Sequence, residues 1–102
     1  MERRSGRRLT ARLDARFFFG SLLYSGTILN ISEKGMFITA RRSFPSNTVF
    51  VVIFRIDGEI LKVIARVRRN APLGGDVEGM GLELVSPSRR YAEYAGRLMA
   101  QQ

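Results

Sequence analysis

Apolar and polar residues alternate with a period of two along most of this chain, the pattern of strands with one face turned to a core. From Leu13 to Leu23 the residues Leu13, Ala15, Phe17 and Phe19 share one face, and Thr27 to Ser32 reads as a second strand. Tyr24-Ser25-Gly26 is the predicted turn between them, which makes the pair a hairpin. A third strand runs from Met36 to Arg42 and ends in Ser43-Phe44-Pro45-Ser46-Asn47, which has the chemistry of a loop. Thr48 to Ile56 follows with Phe50, Val52, Phe54 and Ile56 on one face, and Asp57-Gly58 is the strongest hairpin signal in the chain. The fifth strand, Glu59 to Arg69, points Leu61, Val63, Ala65 and Val67 inward and Lys62, Arg66 and Arg68 outward.

Pro72-Leu73-Gly74-Gly75 is expected as a loop before a sixth strand, Val77 to Val85, with Met80, Leu82 and Leu84 on its inner face. Gly79 and Gly81 then mark a bend or a close backbone approach. Six short strands spaced by about 8 to 12 residues predict an antiparallel sandwich or closed barrel, and closure removes exposed edges. Ser86-Pro87 is the predicted helix start, with Ser as N-cap and Pro at the first helical position. Tyr91, Tyr94, Ala95 and Leu98 recur at the spacing of one helix face and are expected to cover an open end of the barrel. The fold class predicted is all-β with one C-terminal helix.

Between the second and third strands, Asn30-Ile31-Ser32-Glu33-Lys34-Gly35 forms a tight connection. Alternation sends Leu29 and Ile31 into the core and leaves Asn30 and Ser32 as a polar pair beside a glycine, with backbone N–H groups available to a ligand.

Composition narrows the chemistry. At 102 residues and 45% apolar content the chain suits one domain with its own core. It has neither cysteine nor histidine, so disulfides, thiolate or imidazole metal sites and His or Cys catalysis are all excluded. The carboxylate pairs Asp57 with Glu59 and Asp76 with Glu78 fall at turns and read as solvated hairpin ends, so no enzyme is expected. Seventeen basic residues against nine acidic ones give +8, and all the basic residues except Lys34 and Lys62 are arginine. Planar, bidentate recognition of phosphate or a guanine edge favours arginine in this way, so the partner is expected to be anionic. The basic start lacks the apolar stretch of a signal peptide, and the longest strongly apolar run, Val49 to Phe54, is far too short to span a bilayer. A cytoplasmic location without membrane insertion is expected.

Residues 1–12 carry Arg3, Arg4, Arg7, Arg8 and Arg12 around Gly6. Such a segment buries too little surface to offset its ordering entropy and is expected as a mobile arm until an anion docks on it. Residues 13–102 are expected as one barrel domain, with strands over about 13–85 and the helix over about 87–100.

Glu2-Arg3-Arg4-Ser5-Gly6-Arg7-Arg8 ahead of the first strand, together with Asn30-Ile31-Ser32-Glu33-Lys34-Gly35 after the second, resembles the PilZ domain family, bacterial receptors for cyclic di-GMP. The family signature is RxxxR followed by [D/N]xSxxG. The resemblance extends over nearly the whole chain, including Gly79-Met80-Gly81-Leu82-Glu83-Leu84, similar to the family's last barrel strand. It implies a six-stranded split barrel in which Arg4 and Arg8 hold the nucleotide, Asn30 and Ser32 contact a guanine and its surroundings, and Gly35 lets the backbone approach. Arg3 and Arg7 form a second RxxxR in offset register, so either pair can serve. Asn30 stands where Asp is commoner; it can accept and donate but carries no charge. The implied ligand is cyclic di-GMP with no further cofactor, and the signal passes to a separate, unidentified effector protein.

Two other readings start from the same residues. One is a PilZ-like adaptor that binds no nucleotide and works through protein contacts alone. The other is a small basic barrel for single-stranded nucleic acid, using Arg66, Arg68 and Arg69 with exposed aromatics such as Phe18. It is disfavoured because no stripe of alternating aromatic and basic residues marks an outer face.

Overall fold

The structure, a computed structural model, describes residues 9–100. Six antiparallel strands, β1 (Leu9–Phe19), β2 (Leu22–Ile31), β3 (Gly35–Ala40), β4 (Val49–Ile56), β5 (Glu59–Gly74) and β6 (Val77–Leu84), close into a barrel of order β1-β2-β3-β6-β5-β4. One helix, α1 (Arg89–Ala100), follows. The barrel closes where β1 pairs with β4, Ala15 opposite Phe54 and Phe17 opposite Val52.

Most of the alternating residues fill the interior as expected, whereas Leu13 is half-buried and Phe19, placed on the same face, is 42% exposed. Ala15, Phe17, Phe50, Val52, Phe54, Ile56, Leu61, Val63, Ala65, Val67, Met80, Leu82 and Leu84 are buried, and no polar or charged residue among the described residues joins them. Tyr91, Tyr94 and Ala95 of α1 are buried at one end, with Tyr91 edge-on to Phe54. The other end is stopped by Phe44, whose ring meets those of Phe17, Phe19, Tyr24 and Phe50 at centroid distances of 5.9, 5.0, 5.2 and 5.7 Å. The loop bearing Phe44 is fastened to β5: Asn70 Nδ2 donates to the Phe44 carbonyl at 3.1 Å, and Asn47 N donates to the Val67 carbonyl at 2.7 Å. A residue read as part of a loop is thus core.

Several features differ from the sequence expectation. β1 begins at Leu9, so residues 9–12, expected in the arm, are strand. The first turn is Gly20-Ser21, with Gly20 at φ 65°, whereas Tyr24, Ser25 and Gly26 lie within β2. Gly26 is there because a Cβ would sit 2.7 Å from the Thr39 carbonyl oxygen of β3. In β2, a register shift between Ile28 and Asn30 makes Leu29 a bulge residue. Ile28, not Leu29, therefore joins Ile31 in the core. Pro72 to Gly74 continues β5 instead of forming a loop. β4 pairs with β5 only as far as Arg66, so Pro72 sits where β6 is its one strand neighbour and its missing N–H breaks no second ladder. The helix cap is Ser88, whose Oγ accepts from Tyr91 N at 3.1 Å; Ser86, at φ 51°, belongs to the preceding turn. Asp57-Gly58, with φ of 50° and 80°, is the two-residue hairpin expected.

Candidate functional site

Ser32 to Lys34 link β2 to β3 at the end of the barrel that α1 covers. The turn is closed by its own polar groups. Ser32 N donates to the Gly35 carbonyl at 2.9 Å, and Gly35 N donates to Ser32 Oγ at 3.1 Å. Leu84 N of β6 donates to the Lys34 carbonyl at 2.8 Å, which ties the turn to a third strand. From the helix, the Tyr91 hydroxyl donates to the Ser32 carbonyl at 2.6 Å. The Tyr91 side chain is fully buried, and burial pushes its phenol well above the ordinary tyrosine value. The hydroxyl therefore stays protonated and able to donate.

Gly35 has a structural reason of its own. A Cβ there would lie 2.6 Å from the Leu82 backbone oxygen, across the β3–β6 pairing in which Gly35 faces Glu83. The glycine lets the two strands close and presents its N–H to Ser32. Asn30 is half-buried in β2, paired with Thr10 of β1 and Phe37 of β3. Asn30, Ser32 and Gly35 are thus brought together, while Arg3, Arg4, Arg7 and Arg8 lie outside the described residues.

Beside the turn lies a shallow hollow of about 280 Å³ with Ser32, Lys34 and Gly35 on one side and Arg68, Arg69 and Gly81 on the other. Arg69 lies across Gly81: a Cβ on that glycine would come within 3.0 Å of Arg69 Nε. Arg68 is 3.6 Å from Glu83, but both side chains are more than half exposed, so the pair is a weak restraint. Three cations and one carboxylate, Glu83, thus line a hollow beside a polar turn, a net positive arrangement suited to phosphate or to the O6 and N7 edge of guanine. Sequence reasoning assigned Arg68 and Arg69 to a nucleic-acid surface and missed their place here. The available signal was Gly81, a glycine in a strand that makes room for a neighbouring side chain.

A family profile described as the PilZ domain matches residues 2–101. Among solved structures, the chain is similar to the Bacillus subtilis inhibitor of motility MotI/DgrA, at TM-score 0.79 and 20% identity over 100% of this chain and 53% of that one. The chain therefore spans about half the length of that protein. It is also similar to the PilZ domain of YcgR from Escherichia coli, solved with c-di-GMP, at TM-score 0.75 and 12% identity over 98% and 91% of the two chains. A third likeness is to the PilZ domain of CeSA from a cellulose-synthesizing bacterium, at TM-score 0.67 and 19% identity over 90% and 93%. No curated protein matches by sequence.

Proposed function

Because the chain belongs to the PilZ domain family, we propose that it is a cyclic di-GMP receptor and adaptor, not an enzyme, that binds the dinucleotide and relays the signal to a partner protein. The nucleotide is held by Arg4 and Arg8, or by Arg3 and Arg7 in the offset register, against Asn30, Ser32 and Gly35. The observation that supports this most is the register of β1: Leu9 pairs with Ile31 and Thr10 with Asn30, so the residue that follows Arg8 in the chain lies opposite the start of the NxSxxG turn. Chain connectivity limits how far Arg8 can lie from that turn, since consecutive Cα atoms are about 3.8 Å apart, and this supports the reading.

The chemistry suits the ligand. Two phosphates accept arginine forks, and each guanine offers an edge for a bidentate arginine and a face for a stacked one. Lys34, Arg68 and Arg69 add positive charge on the far side of the turn. Charge-assisted hydrogen bonds contribute about 1.5–3 kcal/mol each and a stacked base about 1–3 kcal/mol, so two or three such bonds together with stacking on both guanines can reach about the 8 kcal/mol of micromolar binding once ordering costs are subtracted.

Calorimetric titration with cyclic di-GMP tests the reading. Arg4→Ala or Arg8→Ala should weaken binding by about 10 to 100 fold, about 1.4–2.8 kcal/mol. Absence of binding heat for the unmodified protein at high micromolar nucleotide refutes it.

A further inference from the structure

Among the described residues, the large apolar side chains left in solvent are concentrated on one side of the barrel. The strand registers place Leu23 beside Phe18, Phe18 beside Val51, and Val51 beside Ile64, an apolar row across β2, β1, β4 and β5. Val49 extends it along β4, and Phe19 and Leu22 carry it over the tip of the β1–β2 hairpin. Apart from the half-buried Val51, these residues are 42% to 59% exposed. An apolar surface of this extent marks a contact site.

Its border is mainly basic. The next row holds Ser25, Arg16, Ile53 and Lys62. Half-buried Arg66 lies between Val49 of β4 and Glu83 of β6, so its charge is offset by a carboxylate. The first carboxylate along β1 is Asp14, one step beyond Arg16, and it shares a hollow with Arg55. We propose that this face docks on an anionic lipid bilayer, with the hairpin tip dipping into the acyl boundary and the exposed Arg16 and Lys62 reaching headgroup phosphates.

Three observations favour a bilayer over other occupants. At the hairpin tip both sides of the ribbon are apolar, Phe18 and Leu23 on one and Phe19 and Leu22 on the other, so a medium that surrounds the tip buries more than a flat surface does. A second copy offers Arg16 and Lys62 no carboxylate row on this face to pair with. Single-stranded nucleic acid needs stacking platforms, and beside Phe18 the row is aliphatic. Such docking needs no spanning helix, and none of the described helices is long and apolar enough to cross a membrane. β2 runs from the hairpin tip at Leu22 to Ile31 just before the Ser32–Gly35 turn, so that turn lies at the other end of the strand from the tip that enters the bilayer.

The test uses the full chain with vesicles of phosphatidylcholine alone and of phosphatidylcholine mixed with phosphatidylglycerol. The chain has no tryptophan, so a single one reports position. Leu22→Trp should show blue-shifted emission and quenching by brominated lipid in the mixed vesicles, while Ala92→Trp, exposed on α1, should show neither. Phe18→Ser with Leu23→Ser should lower partitioning at least about tenfold. Far-ultraviolet circular dichroism and the unfolding midpoint of that variant control for folding. Unshifted Leu22→Trp emission overturns the proposal, whether the chain stays free, as it would if the face were kept for a protein, or sediments through charge alone. Undiminished partitioning of the double variant overturns it as well.

Discussion

Tyr91→Phe removes one oxygen atom from the junction of helix, turn and barrel, and its cost can be worked from the geometry. The hydroxyl donates to the Ser32 carbonyl at 2.6 Å, and the ring stays edge-on to Phe54 in either variant, so packing is conserved. A net hydrogen bond contributes about 0.5–1.5 kcal/mol, and a carbonyl left without its buried donor costs about 1–3 kcal/mol. Because Ser32 is half-buried, water can reach part of the vacated site, and a loss of about 1–2 kcal/mol is expected. For a chain of this size the urea slope is about 1–1.5 kcal/mol/M, so the midpoint should fall by about 1 M with unchanged slope. The pH dependence gives a second readout. Burial disfavours the phenolate in the folded state, so above the ordinary value of 10.0 the unfolded chain releases a proton that the folded chain keeps. The contribution is complete below pH 10 and is lost as pH rises above it. Tyr94, raised by burial and then by Asp57, acts in the same sense and persists in the variant. Tyr91→Phe should therefore lose stability less steeply in alkali. A midpoint shift below about 0.3 M would refute the claim that this hydroxyl ties the turn to the helix.

Gly35→Ala should destabilise the fold by about 2–4 kcal/mol, because its Cβ meets the Leu82 backbone oxygen at 2.6 Å and neither strand can yield without losing ladder pairs. Thermal unfolding checks this, and any loss of nucleotide binding in that variant is to be compared with its folded fraction. Ser88→Ala should cost about 1 kcal/mol through the lost cap, whereas Ser86→Ala should change urea stability by less than half as much; the reverse order would restore Ser86 as the cap.

The parts of this fold that were legible in the sequence are those fixed by neighbours in the chain. Alternation in Phe50 to Ile56 and Leu61 to Val67 separates inward from outward residues, and Asp57-Gly58 can adopt the left-handed pair of conformations a tight hairpin requires. The misreadings share one cause: a local signal with two physical meanings that only a distant residue distinguishes. Gly26 looks like a turn glycine, but the Thr39 carbonyl is what excludes a side chain there. Ser86-Pro87 satisfies the rule for a helix start, yet Ser88 is placed to receive the Tyr91 N–H. Phe44 stands among Pro, Ser and Asn, and its neighbours Phe17, Tyr24 and Phe50 come from three other segments. At the candidate site, Asn30, Ser32 and Gly35 were legible as a motif because they are contiguous. Arg68 and Arg69 were not, because they reach the turn only through the order β3-β6-β5.

That same order bears on how the two proposed surfaces relate. The turn is held by Ser32 and Gly35 themselves, by Leu84 of β6 and by Tyr91 of α1, so ligand binding need not order it. The free energy of a bound nucleotide could then go into contacts with the turn and not into ordering it. The apolar row rests on β1 and β4, whose inward residues Phe17, Val52 and Phe54 are packed in the core. Two rigid surfaces at different ends of the strands of a close-packed barrel exclude neither ligand by overlap. Binding at one changes affinity at the other only through a displacement that both sites sense. The helix is the element best placed to carry such a displacement, since Tyr91 contacts the turn through its hydroxyl and β4 through its ring. The β1–β2 hairpin tip, at the opposite end of the barrel from α1, makes no such link. Lipid docking and nucleotide binding at the two proposed surfaces are therefore expected to be additive.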